Sequence, residues 1–255
     1  MAQATVAVFA DAEEAALAAR GPGASMRVMS ALVVDWTTPP LLEGDLLTAD
    51  EFLRRWEEMP DVRRAELIDG TVYMPSPVSC EHSQCQMLLT VWLGNYALAT
   101  PGSMPSPEAT WIMGGKQVPQ PDSTLLILPE YGGQARKQGS YWAGPPELIL
   151  EVAVSSYARD FGVKKRLYER SGVREYVIVN VREEQVIAFS LTAEGYRPMS
   201  AGKDGIFRSV VFPGLWLDTA ALWTRDLQRV NAVLQQGIAT PEHAAFVVEL
   251  AGRKK

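Results

Sequence analysis

Three acidic residues lie inside apolar, strand-like stretches of the sequence. Glu66 lies in Ala-Glu-Leu-Ile, Asp122 precedes Ser-Thr-Leu-Leu-Ile-Leu, and Glu151 has three apolar residues on each side. A carboxylate buried without a partner is strongly destabilised or changes its pKa, so we expect a cation beside each acid. If the acids converge from adjacent strands, a divalent ion such as Mg²⁺ would satisfy all of them. Three separate salt bridges with arginines are the alternative.

A basic segment follows the third acid. Residues 159–174 contain six basic and two acidic residues, a net charge of +4 in a chain whose total is −6. The segment includes Arg159, Lys164 and Lys165. A metal ion at the scissile phosphate with cations at its neighbours is what phosphodiester hydrolysis needs. A solvated basic face of an amphipathic helix is the alternative.

Other catalytic motifs do not occur in the sequence. It has no phosphate-binding P-loop, no dinucleotide-binding glycine motif and no Gly-x-Ser-x-Gly. Its two histidines, His82 and His243, leave few candidates for the base of a serine triad. The spacing of Cys80, His82 and Cys85 does not match the common zinc patterns, so we favour ordinary, partly buried thiols.

The composition is that of a globular protein. The 255 residues are 47% hydrophobic and 21% charged, which excludes disorder of the whole chain. No apolar run approaches the roughly 20 residues that span a bilayer, and two cysteines cannot support a disulfide framework. The start carries acidic residues and no basic region, so we predict a cytoplasmic location. Because the net charge is negative, contact with nucleic acid must use a local patch.

Local signals predict one α/β domain built around a mixed sheet. Thr48-Ala-Asp-Glu is a capping box that begins a helix ending near Pro60, and Asp69-Gly70 predicts a hairpin turn. Residues 101–107 and the glycine- and proline-rich residues 132–146 are predicted to be loops, the second of them mobile. Further helices are predicted over 81–99, 160–170 and 218–236, and strands over 109–113, 123–128, 147–154, 174–181, 185–191 and 206–212.

An ordered series of short motifs runs through the chain. They are Thr48-Ala-Asp-Glu-Phe-Leu, Glu66-Leu-Ile-Asp-Gly, Met74-Pro-Ser-Pro with His82, Gln120-Pro-Asp, Glu147-Leu-Ile-Leu-Glu-Val, Asp160-Phe-Gly-Val-Lys with Leu167-Tyr168, Gly172-Val-Arg-Glu-Tyr and Phe212-Pro-Gly-Leu. In this series, over about residues 46–223, the chain resembles the Uma-two (Uma2) family of restriction endonucleases, in the PD-(D/E)XK nuclease superfamily. The resemblance implies a restriction-endonuclease-like α/β (α+β) fold with a mixed central sheet flanked by helices. It also implies cleavage of DNA dependent on Mg²⁺, or on Mn²⁺ in its place.

The resemblance also implies roles for individual residues. Asp122 and Glu151 look like the metal-binding acids, Glu66 like a further ligand, and Lys164 like the catalytic lysine. His82 and Gln120 look like supporting residues at the substrate. Arg159 and Lys165, in the basic segment 159–174, are expected to contact the DNA backbone. Two departures stand out: Ala153 occupies the usual place of the superfamily lysine, and Val154 stands where some relatives have an acidic or hydroxyl residue.

The expected organisation has three parts. Residues 1–45 form a largely disordered extension, 46–223 the nuclease domain, and 224–255 a helical extension. DNA is the expected partner, a homodimer is compatible with cleavage of both strands, and no membrane is involved. Two other functions stay open: a catalytically inactive module of the same fold that binds DNA or protein, and a metal-dependent hydrolase of a small phosphorylated compound.

Overall fold

The buried strand around Glu151 lies near the centre of a mixed sheet. A computed structural model of the chain describes residues 38–154 and 156–255. The sheet has six strands, which are β3 (Ser103–Pro105), β5 (Ser123–Ile127), β8 (Leu148–Ala153), β9 (Glu175–Asn180), β10 (Gln185–Thr192) and β11 (Gly195–Met199). Their order across the sheet is β11-β10-β9-β8-β5-β3. Within this sheet only β8 and β9 pair in parallel, and the other neighbours are antiparallel.

A helical crossover connects the parallel pair, as parallel strands require. It consists of one helical turn (Tyr157–Arg159), a π-helical turn (Asp160–Lys164) and a helix, α3 (Lys165–Ser171). The sequence predicts a continuous α-helix over 160–170, whereas in the structure the first five of these residues form the π-helical turn. Single π-helical turns within helices often mark functional sites.

The two faces of the sheet pack against different helices. Along β8, Leu148, Leu150 and Val152 belong to the core shared with α2 (Cys80–Ala99). Ile149 and Ala153 belong to the core shared with α3. Because side chains alternate along a strand, Glu151 lies on the same face as Ile149 and Ala153, the face covered by α3.

A small subdomain carries Glu66. Helix α1 (Ala49–Glu57) is capped by the Thr48 hydroxyl, which accepts from the Glu51 amide, as predicted. Strands β1 (Glu66–Ile68) and β2 (Thr71–Tyr73) form the predicted hairpin, and Asp69 and Gly70 both have positive φ. Two positive φ values in a two-residue turn match the twist of a hairpin. The amide and carbonyl of Leu67 bond to Val118, which joins the hairpin to the segment before Asp122.

Two predicted loops contain strands. Residues 132–146 hold β6 (Arg136–Gln138) and β7 (Tyr141–Ala143), which form a three-stranded sheet with β4 (Trp111–Ile112). Residues 101–107 hold β3. The prediction of loops was wrong because it followed the frequent glycines and prolines, whereas here Gly139, with φ of +60°, makes the turn between the exposed β6 and the partly buried β7.

The last predicted helix is interrupted. In place of one helix over 218–236, the chain forms α4 (Thr219–Trp223) and α5 (Leu227–Ile238). Asp226 causes the break, because its carboxylate caps a new helix by accepting from the Arg229 amide. A short two-stranded sheet precedes them, β12 (Ile206–Arg208) with β13 (Trp216–Asp218), and α6 (Pro241–Arg253) follows.

The terminal parts of the chain differ in what the structure describes. The predicted disordered extension lies mostly outside the described residues, which begin at residue 38. Residues Thr38–Lys255 form one compact unit. Within it, Val230 of α5 and Leu250 of α6 share the core of the central sheet. The domain boundaries themselves stay a prediction. No helix in the described ranges has the length and apolar character needed to cross a bilayer.

Candidate active site

The predicted acids and the predicted lysine line one cavity of about 360 Å³. Its walls come from the β1–β2 hairpin, the loop 74–79, the first turn of α2, the end of β8 and the crossover. The charged residues that line it are Arg64, Glu66, Asp122, Glu151, Arg159, Asp160 and Lys164, with His82 and Gln120 beside them. The tertiary fold therefore brings together residues that are almost one hundred positions apart in the sequence, such as Glu66 and Lys164.

Lys164 lies at the centre of this charge cluster. Its Nζ atom is 2.9 Å from Glu66 Oε1, 2.9 Å from Glu151 Oε1 and 3.9 Å from Asp160 Oδ1. Burial would lower the pKa of Lys164, but the surrounding carboxylates, led by Glu151, outweigh burial and raise it above its usual value. Lys164 is therefore an ammonium ion at physiological pH and a source of fixed positive charge.

Glu151 is held by two donors on one oxygen. Its Oε1 accepts from Lys164 Nζ at 2.9 Å and from the Tyr168 hydroxyl at 2.7 Å. Burial raises the pKa of the Glu151 carboxyl, and the ammonium of Lys164 opposes that rise. Two donors on one oxygen are the environment of a carboxylate, so the Glu151–Lys164 pair is an ion pair.

Asp122 lies among donors from three segments of the chain. Its Oδ2 accepts from the Val152 amide at 2.8 Å, which ties it to the strand that carries Glu151. Its Oδ1 lies 3.3 Å from His82 Nε2 and 3.6 Å from Arg64 Nη2. Burial alone would raise the pKa of Asp122, but His82, the Val152 amide and Lys164 together lower it. The Asp122 carboxylate in turn raises the pKa of His82, against the effect of burial.

Glu66 and Gln120 connect the hairpin to the cavity. Glu66 Oε1 accepts from the backbone amide of Gln120 at 2.9 Å as well as from Lys164. The side-chain amide of Gln120 donates to the Glu108 carbonyl, and its Oε1 atom is buried with no hydrogen-bond partner among the described residues. Buried polar atoms without a partner are rare, and at a cavity they point to a ligand or ordered water.

Arg159 and Lys165, the two cations predicted to contact the DNA backbone, have different surroundings. Arg159 lines the cavity with its guanidinium over the Tyr73 ring, 4.6 Å from the centroid. Lys165 instead lies over Phe189, 4.6 Å from the ring centroid, and does not line the cavity. The residues are adjacent to opposite ends of the π-helical turn, which directs their side chains apart.

A comparison with family sequence profiles identifies the family of the chain. The sequence profile of the Uma2 family, described as a putative restriction endonuclease, matches residues 49–220. The chain belongs to the Uma2 family. That match covers the hairpin, the sheet and the crossover, and so every residue of the cavity described above. Membership assigns the chain to a family of nuclease type.

A solved structure has the same fold. It is described as a putative nuclease belonging to DUF820 from Anabaena variabilis ATCC 29413. The TM-score is 0.53 at 16% sequence identity, and the alignment covers 70% of this chain and 98% of the other. At that identity the similarity concerns the fold. No curated protein matches the chain.

Several residues in or directly behind this Uma2 cavity were not predicted as site residues from the sequence. Tyr168 donates to Glu151, Arg64 lies beside Asp122, and Asp160 lies within 3.9 Å of Lys164. A signal existed for each: Asp160 and Tyr168 are four residues before and after Lys164, and Arg64 is two residues before Glu66. Helical and strand periodicity places such neighbours on one face.

The donor types in the cavity fit a divalent cation such as Mg²⁺, which prefers oxygen ligands and is commonly held by one or two carboxylates, waters and substrate phosphates. Within residues 38–154 and 156–255, no group of three His, Cys, Asp or Glu side chains is arranged to hold a metal ion. Lys164 forms ion pairs with both Glu66 and Glu151. Asp122 and Glu151 therefore remain as two metal ligands in place of the predicted three. Cys85 is buried in the core and Cys80 is exposed, which is the ordinary environment that we favoured for these thiols.

Proposed function

We propose that this member of the Uma2 family is an endonuclease that hydrolyses DNA phosphodiester bonds with the help of Mg²⁺ or Mn²⁺. The observation that carries the proposal is the cavity that Asp122, Glu151 and Lys164 line together, in which Lys164 Nζ is 2.9 Å from Glu151 Oε1. Buried acids with a permanent cation in an accessible cavity are costly to maintain for stability alone.

Asp122 and Glu151 are the residues that would hold the ion. Glu151 Oε2 and Asp122 Oδ1 make no hydrogen bond to the part of the chain described by the structure, although Asp122 Oδ1 lies beside His82 and Arg64; the other oxygen of each acid accepts one or more. A bound divalent ion polarises the phosphate and lowers the pKa of its water ligand. Glu66 contributes by orienting Lys164 rather than as a further ligand in the arrangement observed.

Lys164 supplies electrostatic stabilisation. Since its pKa is raised, it cannot serve as a general base, but its charge would stabilise the negative charge that accumulates on a phosphate bound in the cavity. The charge balance of the cavity agrees with this role. Four carboxylates face three permanent cations, so the formal charge with neutral His82 is −1, and a divalent ion would make it positive.

The test is nicking of supercoiled plasmid DNA by the full chain, with and without Mg²⁺. Asp122→Asn and Glu151→Gln keep the side-chain shape and remove the metal-binding charge. We expect at least about a 100-fold loss of cleavage in either variant. Asp204→Asn is the matched control, because Asp204 pairs with Arg208 at 2.6 Å and does not line the cavity. Wild-type protein that cleaves no DNA in Mg²⁺ or Mn²⁺, or unchanged cleavage by both site variants, would refute the proposal.

A second candidate is a catalytically inactive module that binds DNA or protein. The bridging of Glu66 and Glu151 by Lys164 favours it, because the bridge leaves two rather than three acids for a metal ion. Titration with Mn²⁺, followed by its paramagnetic resonance signal, separates the two candidates. Retained DNA binding without Mn²⁺ binding supports the module, and Mn²⁺ binding that is lost in Asp122→Asn supports the enzyme.

A further inference from the structure

Arg64 has free hydrogen-bonding capacity inside the cavity. Its Nη2 atom lies 3.4 Å from Glu108 Oε1 and 3.6 Å from Asp122 Oδ1, and its side chain is 24% exposed. Neither contact has the geometry of a hydrogen bond, and its guanidinium makes none to the residues of 38–154 and 156–255. A guanidinium has five N–H donors, and a partly buried one normally uses several of them. Arg64 therefore has donors available for a ligand.

Two other basic side chains on the same cavity make no side-chain hydrogen bond to the described residues. His82 Nε2 is buried and lies 3.3 Å from Asp122 Oδ1, but this contact does not have the geometry of a hydrogen bond. Arg159 has no acidic partner in that part of the chain and is held by the Tyr73 ring. Lys164, by contrast, is already engaged by two carboxylates. Arg64 and His82, which both lie beside Asp122, thus keep donors that make no hydrogen bond, and Arg159 lines the same cavity.

Glu108 and Asp122 both lie near one nitrogen, Nη2, of Arg64. Gln86 Nε2 donates to Glu108 Oε1 at 3.0 Å and so holds the Glu108 carboxylate in place. The backbone of Glu108 has a φ of +52°, a conformation that non-glycine residues rarely adopt. Backbone strain of this kind is concentrated at functional sites.

We propose that Arg64 is a catalytic residue that binds a non-bridging oxygen of a phosphate group next to Asp122. His82 and Arg159 complete this anion subsite. The planar guanidinium suits the subsite because it matches two phosphate oxygens at once, which a lysine ammonium does not. Identification of the anion as a DNA phosphodiester rests on the proposed function, whereas the binding of a phosphate group does not.

The experiment compares Arg64→Ala and Arg64→Lys with the wild-type chain in two assays. The first measures binding of inorganic phosphate by calorimetry without metal. The second measures kcat and KM for a short DNA in Mg²⁺. Arg197→Ala is the matched control, because Arg197 pairs with Glu194 on the exposed β10–β11 hairpin. We expect both Arg64 variants to bind phosphate about 10- to 100-fold more weakly and to lose more in kcat than in KM.

The outcomes distinguish this inference from the proposed function. Wild-type phosphate affinity and kcat in both Arg64 variants would overturn the role of Arg64 and leave the nuclease intact. Phosphate binding that depends on Arg64, in a protein that cleaves no DNA, would support the subsite while the nuclease fails. If Arg64→Ala does not fold, Arg64→Lys, which keeps the charge beside Asp122, decides the question by the same criteria.

Discussion

At the scale of single residues, Glu151 shows how a buried charge is made tolerable. A carboxylate that is almost fully removed from water needs both an opposite charge and hydrogen bonds. Lys164 supplies the charge, and Tyr168 supplies a second donor to the same oxygen. The other oxygen of Glu151, Oε2, accepts from neither of these donors, so it is available to bind a further ligand.

Loss of the Tyr168 hydroxyl should destabilise the protein. In Tyr168→Phe the buried Glu151 carboxylate loses a 2.7 Å hydrogen bond, so we expect the free energy of unfolding to fall by about 1.5–3 kcal/mol. Urea denaturation measures it. Tyr141→Phe is the control, because that hydroxyl lies 3.5 Å from Glu57 near the surface. Equal stability of the two variants would contradict the importance of this bond.

At the scale of elements, Glu175 joins β9 to the segment before β13. Its Oε2 accepts from the Ser209 hydroxyl at 2.8 Å and from the amides of Val210 and Val211 at 3.1 and 3.2 Å. Its Oε1 is buried without a partner in the described ranges. Burial raises the pKa of the Glu175 carboxyl from 4.5 to about 7, although these hydrogen bonds oppose the shift.

This raised pKa should make stability depend on pH. Because the folded state holds the proton more tightly, the free energy of unfolding should fall as pH rises from about 4.5 to about 7, by at most about 3 kcal/mol. Glu175→Gln should remove this part of the pH dependence. Urea denaturation from about pH 5 to about pH 8 measures it, with the exposed Glu183→Gln as control. A variant whose pH dependence equals that of wild type would show that Glu175 does not titrate in this range.

At the scale of the whole molecule, the C-terminal helices belong to the core that supports the cavity. Phe246 and Leu250 of α6 lie in the same hydrophobic cluster as Leu150 and Val152 of β8, on either side of Glu151. The cavity is thus built on a sheet whose opposite face is covered partly by the last residues of the chain.

Truncation of one core side chain in α6 should therefore destabilise the whole unit. Leu250 is fully buried, so Leu250→Ala should cost about 2–5 kcal/mol in a single cooperative unfolding transition. Val248 is 71% exposed on the same helix, and Val248→Ala should change stability by less than about 0.5 kcal/mol. Chemical denaturation followed by tryptophan fluorescence compares them. A separate early transition in Leu250→Ala would show instead that residues 224–255 fold as an independent extension.

The sequence by itself determined the features that depend on near neighbours. A continuous apolar run placed Glu151 within a buried strand, Thr48 capped its helix, and Asp69-Gly70 made the hairpin turn, because each signal acts within a few residues. The same reasoning failed for residues 132–146, where strand pairing with a distant partner overrides the local preference of glycine for loops.

Only the tertiary structure decided which side chains meet. The sequence identified Glu66, Asp122, Glu151 and Lys164 as a group, but the bridge from Lys164 to two of these acids depends on how a π-helical turn packs against the hairpin and β8. The partnership of Arg64 with Asp122 and the separation of Lys165 from the cavity are likewise products of packing. Side-chain distances are set by contacts between segments far apart in the chain, and no local pattern encodes them.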